Sequence, residues 1–252
     1  MARVALVRRP GPLLAAGQLT HLPRRPLDLD RARAQHTAYR TALAEAGWRV
    51  VDAPAADDLP DAPFVEDTAV VLDGRVVLTR PGSPMRAREV PSVAVALAGL
   101  GVATVPLPAG RLDGGDVLRV GDLLYVGLST RTDDAGAAAL ADLAAADGLA
   151  VRVVPVTGAL HLKTAVTALP DGTLLGEPDR VDAAALGTPV LPVPEPAGAD
   201  VLLLGGDRVG LSAAAPKTAA LLAGRGLVPV PLELSEFEAL EAGPTCLSVL
   251  LP

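Results

Sequence analysis

Pairs of short apolar runs joined by a tight turn recur along the chain. In the best-defined pair, Thr68–Leu72 and Arg75–Thr79 flank Asp73-Gly74, a dipeptide typical of two-residue β-hairpins. Later pairs flank Gly121-Asp122, Asp171-Gly172 and Gly205-Gly206-Asp207. Each pair is followed by a stretch with helical character and then by one more apolar run. The pattern predicts a repeated strand–strand–helix–strand unit.

Four complete units are predicted. Their hairpins are Thr68–Leu72 with Arg75–Thr79, Asp116–Val120 with Leu123–Gly127, Thr164–Leu169 with Thr173–Gly176, and Val201–Leu204 with Arg208–Ser212. Their helices are Arg86–Leu100, Asp134–Asp147, Asp179–Leu186 and Pro216–Arg225. Their last strands are Ala103–Leu107, Ala150–Val154, Val190–Val193 and Val228–Leu232.

A fifth unit is split between the two ends of the chain. It consists of a strand Ala2–Val7, a loop over residues 11–24, a helix capped by Asp30 and ended by Gly47, a strand Arg49–Ala53 and a final strand Leu247–Leu251. Pairing the first strand with the last closes a ring and removes exposed sheet edges. We therefore predict an α/β fold, a five-bladed propeller in one domain over residues 1–252. The alternative is a doubly wound parallel sheet, which rarely has a tight hairpin in every unit.

Polar residues precede the first strand of each unit. Asp67, Asp116, His161, Asp200 and Cys246 are spaced by 49, 45, 39 and 46 residues, as in propeller repeats. Equivalent positions in a ring of modules lie at the same height around its axis. We therefore expect a thiol, an imidazole and several carboxylates to meet at one end of a channel.

Composition narrows the classes of function. The net charge of −7 and the lack of a basic block argue against nucleic acid or an anionic membrane and suit a cationic small molecule. We find neither a signal-peptide pattern nor the roughly 20 apolar residues of a membrane span. One cysteine excludes an internal disulfide and favours a reducing, cytoplasmic location. With three histidines and one cysteine we expect no structural zinc site, and we expect no cofactor.

The single cysteine has two interpretations. Free cysteine is among the most buried residue types, so Cys246 could serve packing alone. It lies, however, between a Gly-Pro turn and an apolar strand, where sites are more common than in mid-strand. A thiolate there would be a strong nucleophile.

Six motifs carry a resemblance to a known family. They are Phe64-Val65-Glu66-Asp67-Thr68, Arg80-Pro81-Gly82, Leu112-Asp113-Gly114-Gly115-Asp116, Gly127-Leu128-Ser129-Thr130-Arg131-Thr132, Leu160-His161-Leu162-Lys163 and Thr245-Cys246-Leu247-Ser248. Together they resemble the dimethylarginine dimethylaminohydrolases, which belong with arginine deiminases and amidinotransferases to the guanidino-group-modifying enzymes. The resemblance implies a five-bladed α/β propeller.

The resemblance also implies roles for individual residues. Cys246 would add to the guanidinium carbon, His161 would protonate the departing amine and then activate water, and Asp113 would orient the imidazole. The residues that would bind substrate are Asp61 and Asp67, with Glu66 in support, for the guanidinium, Arg86 and Arg131 for the α-carboxylate, and Leu19 in a mobile loop over the site. Arg88 is the alternative to Arg86.

The implied reaction converts Nω-methylated arginine and water to citrulline and methylamine or dimethylamine. One alternative is a deiminase or hydrolase of arginine or another guanidino compound, although arginine deiminases are usually longer. An alternative of another class is a non-enzymatic propeller scaffold with Cys246 in its core.

We expect a monomer or homodimer. Asp116 is expected to be structural, and His21 and His36 are assigned to a loop and a helix surface.

Overall fold

The computed structural model describes residues 3–252, so Ala2 of the predicted strand Ala2–Val7 lies outside the described residues. The strands are β1 Val4–Val7, β2 Arg49–Asp52, β3 Ala69–Leu72, β4 Arg75–Leu78, β5 Thr104–Pro106, β6 Val117–Val120, β7 Leu123–Leu128, β8 Ala150–Pro155, β9 Val166–Ala168, β10 Leu174–Gly176, β11 Val190–Pro192, β12 Val201–Gly205, β13 Arg208–Ser212, β14 Val228–Leu232 and β15 Ser248–Leu251. The helices are α1 Leu29–Glu45, α2 Pro84–Ala87, α3 Val90–Gly99, α4 Asp134–Ala145, α5 Leu162–Ala165, α6 Ala183–Leu186, α7 Pro216–Gly224 and α8 Ser235–Glu238.

These strands form five three-stranded sheets of one design. In each sheet the middle strand pairs antiparallel with a first strand and parallel with a third, as β4 does with β3 and β5. A helix connects the middle and third strands, because a parallel pair needs a crossover. The repeated strand–strand–helix–strand unit is therefore confirmed, and the doubly wound sheet is not found among residues 3–252.

The split unit is held together by the two ends of the chain. β1 is the middle strand of its sheet and pairs antiparallel with β15, with Val4 opposite Leu251 and Val7 opposite Ser248. On its other side β1 pairs parallel with β2. The predicted pairing of the first and last strands is present.

Two of the predicted helices are each divided. The segment predicted as one helix, Arg86–Leu100, is α2 followed by α3, with the break at Arg88 and Glu89. Pro91 explains the break, since a proline has no N–H to donate four residues back and its ring crowds that carbonyl. The segment Asp179–Leu186 is likewise a 3-10 turn at Pro178–Arg180 followed by α6.

Three local predictions are wrong. The side chain of Asp28, rather than Asp30, caps α1 by accepting the N–H groups of Asp30 and Arg31. Thr164 begins no strand, because it lies within α5. His36 is 2% exposed rather than on a helix surface, and its ring stacks on Tyr39.

The inner and outer strands of the sheets differ in their surroundings. The first strands of all five sheets line one central cavity of about 260 Å³, with Val70, Leu118, Ala168, Leu202 and Val249 among its walls. The third strands lie at the outer edges, and four of the five contain proline. These prolines are Pro106 in β5, Pro155 in β8, Pro192 in β11, and Pro229 and Pro231 in β14.

Within residues 3–252, no helix has the length and apolar character that a membrane span requires.

Candidate active site

A short turn precedes the first strand of each sheet, and polar residues lie in it or next to it. Four of these are 3-10 turns, and the fifth is α5. The 3-10 turns are Val65–Thr68, Gly114–Asp116, Pro196–Gly198 and Thr245–Leu247. His161 is the N-cap residue of α5, and Cys246 is the middle residue of the last turn. Together with Asp67, Asp116 and Asp200, the repeat thus places one polar or nucleophilic residue of each module in or beside this turn.

Carboxylates connect these turns from one module to the next. Asp67 accepts the backbone N–H of Gly115 at 3.0 Å, and Asp116 accepts that of Leu162 at 2.9 Å. In the same way Asp200 accepts the N–H of Thr245 at 3.2 Å. Buried backbone donors need such partners, so each acid holds the following turn in place.

The side chain of Cys246 is buried, with 7% of the residue exposed. Its sulfur accepts the N–H of Gly243 at 3.4 Å. The hydroxyl of Tyr39 donates to the carbonyl of Pro244 at 2.9 Å and bonds with the hydroxyl of Ser248 at 2.7 Å, which ties the cysteine turn to α1. Burial raises the pKa of the Cys246 thiol well above its ordinary value, and the nearby carboxylates, Asp200 first, add to the rise.

His161 is surrounded by carboxylates. Its Nε2 lies 3.1 Å from Asp113 Oδ2, and its Nδ1 lies 3.8 Å from Asp67 Oδ1. Burial lowers the pKa of this imidazole, but Asp67, Asp116 and Asp113 outweigh burial and raise the pKa to about 9. His161 is therefore a cation at neutral pH. A side chain at Gly115 would meet His161 Nδ1 at 2.6 Å and Asp67 at 2.7 Å, so only glycine permits this close approach.

Arg86 is held by three acceptors. Its guanidinium donates to Asp67 at 2.8 Å, to Glu89 at 2.9 Å and to the carbonyl of Phe64 at 2.8 Å. Burial raises the pKa of Asp67, but the cations His161 and Arg86 outweigh it and lower that pKa to about 2. Asp67 is thus a fixed anion between two cations.

A cavity of about 20 Å³ joins these groups, which is room for roughly one water. Six of the predicted site residues line it: Asp61, Asp67, Arg86, Arg131, His161 and Cys246. The lining side chains that sequence reasoning missed are Gln18, Phe64, Leu160, Leu240, Glu241 and Ala242. Gln18 and Leu160 adjoin predicted residues, whereas the segment 240–242 has no motif that would have identified it.

Three predicted site residues lie elsewhere. Asp113 is fully buried behind His161, and its Oδ1 has no hydrogen-bond partner within residues 3–252. Glu66 lines the central cavity, where it pairs with Lys163 at 2.6 Å. Leu19 packs against the apolar cluster that contains Cys246. Arg88, the alternative to Arg86, forms an exposed pair with Asp58.

The loop over the cavity is fixed to both of its sides. Gln18 donates its N–H to Asp61 at 3.0 Å, while the second oxygen of Asp61 is buried without a partner within residues 3–252. The carboxylate of Glu241 accepts three consecutive N–H groups, those of Thr20, His21 and Leu22. Glu241 is also the one non-glycine residue between 3 and 252 with a positive φ, 63°.

The acids around His161 also have a spacing that could hold a cation. Asp67, Asp113 and His161 each place a ligand atom within 4.8 Å of the others. Arg86 already bonds Asp67, and a protonated imidazole offers no lone pair to a metal. The set is better matched to an organic cation such as a guanidinium, which carboxylates bind through paired hydrogen bonds.

Comparison with known proteins identifies the family. A family model described as arginine deiminase matches residues 54–184, more than half of the chain. A relative from Streptomyces coelicolor (strain ATCC BAA-471 / A3(2) / M145), an N(G),N(G)-dimethylarginine dimethylaminohydrolase, is 47% identical over 251 residues and covers 99% of this chain and 97% of its own. The chain belongs to the dimethylarginine dimethylaminohydrolase family.

Solved structures of that family are similar to the whole chain. A cysteine-to-serine mutant of dimethylarginine dimethylaminohydrolase from Pseudomonas aeruginosa, complexed with citrulline, has a TM-score of 0.90 at 27% identity and covers 100% of both chains. A dimethylarginine dimethylaminohydrolase with a histidine-to-glycine change, in an adduct with S-methyl-L-thiocitrulline, has a TM-score of 0.89 at 27% identity and the same coverage. The predicted family and the predicted α/β fold are confirmed.

Proposed function

We propose that this chain hydrolyses Nω-methylated arginine to citrulline and methylamine or dimethylamine. The observation that carries the proposal is one cavity lined by the single cysteine and by His161, together with the predicted substrate-binding residues Asp61, Asp67, Arg86 and Arg131. It occurs in a chain 47% identical to a dimethylarginine dimethylaminohydrolase. The citrulline complex and the thiocitrulline adduct of the related structures support the same chemistry.

The reaction has two halves, with Cys246 as the nucleophile. Its thiolate forms a bond to the guanidinium carbon, and the bond to the methylated nitrogen breaks as His161 transfers its proton to that nitrogen. Methylamine or dimethylamine leaves, and a thiouronium remains on the sulfur. Water then adds to the same carbon while its proton passes to His161. The carbon–sulfur bond breaks as the added hydroxyl loses its remaining proton to solvent, which releases citrulline and restores the thiolate.

The charges of the pocket suit these steps. With a pKa raised to about 9, His161 holds at neutral pH the proton that the departing amine needs. The Cys246 thiol has a raised pKa, so it is protonated before substrate arrives. A guanidinium placed beside the sulfur would lower the thiol pKa again, because a nearby positive charge favours the thiolate. The substrate therefore helps to create its own nucleophile.

The two ends of the substrate have separate partners in this scheme. Asp67 and Asp61 bind cationic groups, and Asp61 Oδ2, which is buried without a hydrogen-bond partner in the described part of the chain, is available as an acceptor. Arg131, whose Nη2 reaches the hydroxyl of Thr20 at 3.4 Å, binds the α-carboxylate. Arg86 fixes Asp67 and adds positive charge to the same side. Asp113 holds the imidazole of His161, and Glu66 supports the site from the central cavity.

We also propose that the five modules form a closed propeller in one domain, residues 1–252. The β1–β15 pairing, the acid-to-amide bonds between modules and the cavity lined by every first strand support this arrangement.

A cytoplasmic location and a monomeric or homodimeric state stay predictions; a free thiol suits a reducing compartment.

The decisive experiment is product analysis with two substrates. Purified protein given dimethylarginine is expected to form citrulline and dimethylamine in equal amounts, and Cys246→Ser is expected to form neither. Acid quenching during turnover is expected to leave a thiouronium adduct on Cys246, detectable by mass spectrometry. Citrulline and ammonia from arginine at a higher kcat/KM would instead favour a deiminase. No citrulline from either substrate would favour the scaffold function.

A further inference from the structure

The hydroxyl of Thr245, in the turn that carries Cys246, is hydrogen-bonded to the carboxyl groups of both Glu66 and Asp200. The hydroxyl oxygen of Thr245 lies 3.0 Å from Glu66 Oε2 and 3.1 Å from Asp200 Oδ2. All three residues are buried; Asp200 is 5% exposed and Glu66 is 9% exposed. One hydroxyl thus stands between two buried carboxyl groups.

Counting protons shows that these two carboxyl groups are not both ionised. A hydroxyl carries one proton and donates it to one acceptor. Its oxygen can then meet the second carboxyl group at hydrogen-bond distance only if that group donates. Two bare carboxylates would leave lone pairs facing each other in a buried site, which costs free energy.

The neighbours of the pair show which carboxyl group holds the proton. Glu66 has a cation of its own, since Lys163 Nζ lies 2.6 Å from Glu66 Oε1. Apart from the Thr245 hydroxyl, Asp200 is bonded within residues 3–252 only by the backbone N–H of Thr245, on Oδ1, which leaves Oδ2 as the donor toward that hydroxyl. The order of donation is therefore Asp200 to Thr245 to Glu66.

The charged surroundings of Asp200 agree with this order. The titratable groups that face it from the packed elements are Glu66, Lys163, Tyr39 and Cys246, and Lys163 is already bonded to Glu66. Asp200 also borders a third cavity, of about 290 Å³, which is lined in addition by His21, Glu177, Arg180, Glu238 and Glu241. Arg180 pairs with Glu177 at 2.8 Å, so no cation within residues 3–252 pairs with Asp200. Burial, followed by the charge of Glu66, raises the pKa of Asp200 to about 7.

Asp200 is also close to the nucleophile. It holds the N–H of Thr245, the residue before Cys246, and a side chain at Gly243 would collide with its Oδ2. Gly243 in turn donates its N–H to the sulfur. A negative charge on Asp200 would oppose ionisation of the thiol more than any other single charge near it.

We propose that Asp200 is a positioning residue that works as a neutral carboxylic acid, whose proton keeps a second negative charge away from the sulfur of Cys246. When Asp200 loses that proton, the thiol becomes harder to ionise. This deepens the proposed function, because it matters for catalysis only if Cys246 is the nucleophile. The protonation itself does not depend on any turnover.

Infrared difference spectroscopy tests the proton directly. Wild type minus Asp200→Asn at pH 6 is expected to show the C=O band of a protonated carboxylic acid, and raising the pH of the wild type is expected to remove it. Thr245→Val, which removes the acceptor of the acid proton, is expected to move the band to higher frequency. No such band at pH 6 would overturn the proposal. A band that survives in Asp200→Asn and is lost in Glu66→Gln would overturn it as well.

Alkylation of the single cysteine tests the effect on the sulfur. With iodoacetamide, all labelling reports on Cys246. The rates of wild type and Asp200→Asn are expected to agree within about twofold at pH 5.5. At pH 9 the variant is expected to be about tenfold faster, since one unit of thiol pKa corresponds to a factor of ten. Asp207→Asn, an exposed acid of the same module, is expected to follow wild type.

The two experiments separate this proposal from the proposed function. Parallel alkylation profiles of wild type and Asp200→Asn from pH 5.5 to 9 would show that Asp200 does not act on the sulfur. A protein that forms no citrulline but gives the expected band and divergent profiles would contradict only the hydrolase proposal.

Discussion

At the scale of single residues, the two arginines that line the cavity differ in what already holds them. Arg86 is bonded to Asp67, Glu89 and the carbonyl of Phe64. Among residues 3–252, the guanidinium of Arg131 forms a hydrogen bond only with the hydroxyl of Thr20. Arg86 therefore contributes to the structure of the site as well as to its charge, whereas the remaining donors of Arg131 suit the proposed contact with the substrate carboxylate.

Substitution of these arginines is expected to have distinct effects. Arg131→Ala should raise KM for dimethylarginine about 10- to 100-fold, which is the loss of affinity expected when one charged hydrogen bond is removed. The free energy of unfolding should stay nearly unchanged. Arg86→Ala should cost about 3–5 kcal/mol of stability, because two buried carboxylates lose their cation. Steady-state kinetics and urea unfolding measure the two effects. Arg88→Ala is the control, and an equal rise of KM in Arg88→Ala would contradict the assignment.

His36 is expected to make the fold sensitive to acid. Burial and the nearby Arg40 lower its pKa to about 4, against about 6.5 in the unfolded chain. Between these values the unfolded state binds more protons, so stability falls as the pH falls from about 6.5 to 4. The full effect is about 3 kcal/mol.

Urea unfolding at pH 7.5 and pH 4.5 measures this effect. The loss of stability on acidification should be smaller in His36→Leu than in wild type. The exposed His21→Gln should behave as wild type. An equal acid loss in His36→Leu and wild type would contradict the role of His36.

The sequence identified several residues of the site correctly, but it did not predict which cavity or which neighbouring side chains each residue would face. The repeat spacing placed His161 and Cys246 in equivalent turns, since hairpins and helices mark the repeat clearly. It gave Glu66 a supporting role beside Asp67, but it could not show that these adjacent side chains face the central cavity and the Cys246 cavity respectively. It also placed His36 on a surface, because burial of a polar ring depends on contacts with Phe237, 201 positions away.

At the scale of elements, the short turns before the first strands matter more than the strands. Their geometry could not be read from the sequence, because four of the five are 3-10 turns of three or four residues without a hydrophobic period. The loop over the site is similar: it was predicted as a loop, but the carboxylate of Glu241 that fixes it lies more than 200 positions later in the chain.

Removal of the negative charge of Glu241 is expected to loosen the loop over the Cys246 cavity. A cavity of about 20 Å³ cannot hold an arginine derivative, so the loop has to move when substrate enters. Glu241→Gln keeps one acceptor oxygen and loses the charge that three N–H groups share. Amide exchange at Thr20 and Leu22 should become faster, and KM should rise. Glu233→Gln, an exposed neighbour, should change neither. Unchanged exchange in Glu241→Gln would show that other contacts hold the loop.

At the scale of the whole molecule, the two ends of the chain share one sheet. This pairing was predicted because both terminal strands needed a partner, and the register of β1 with β15 agrees. The size and shape of the cavities could not be predicted, since they depend on how five modules tilt and pack rather than on any local pattern.

A circular permutant tests the importance of that shared sheet. Joining Pro252 to Arg3 through a short flexible linker and opening the exposed Gly121-Asp122 turn should give a folded, active protein, because β1 and β15 lie side by side. Circular dichroism and citrulline formation measure the outcome. Opening the chain between the buried Thr68 and Ala69 should prevent folding. An unfolded Gly121-Asp122 permutant would show that the continuous order of modules is required.

The prolines of the outer strands affect whether two molecules of this protein can pair through the edges of their sheets. Leu107, Val156 and Val193 each follow such a proline and donate their N–H inward to the middle strand. Because N–H groups alternate between the two sides of a strand, each preceding proline stands where an outward N–H would otherwise be. In β14 the N–H of Val228 points inward, which places Pro229 and Pro231 on the outward side. At each of these four outer edges a neighbouring molecule thus meets a gap in the row of donors, which opposes extension of the blade into a fibril.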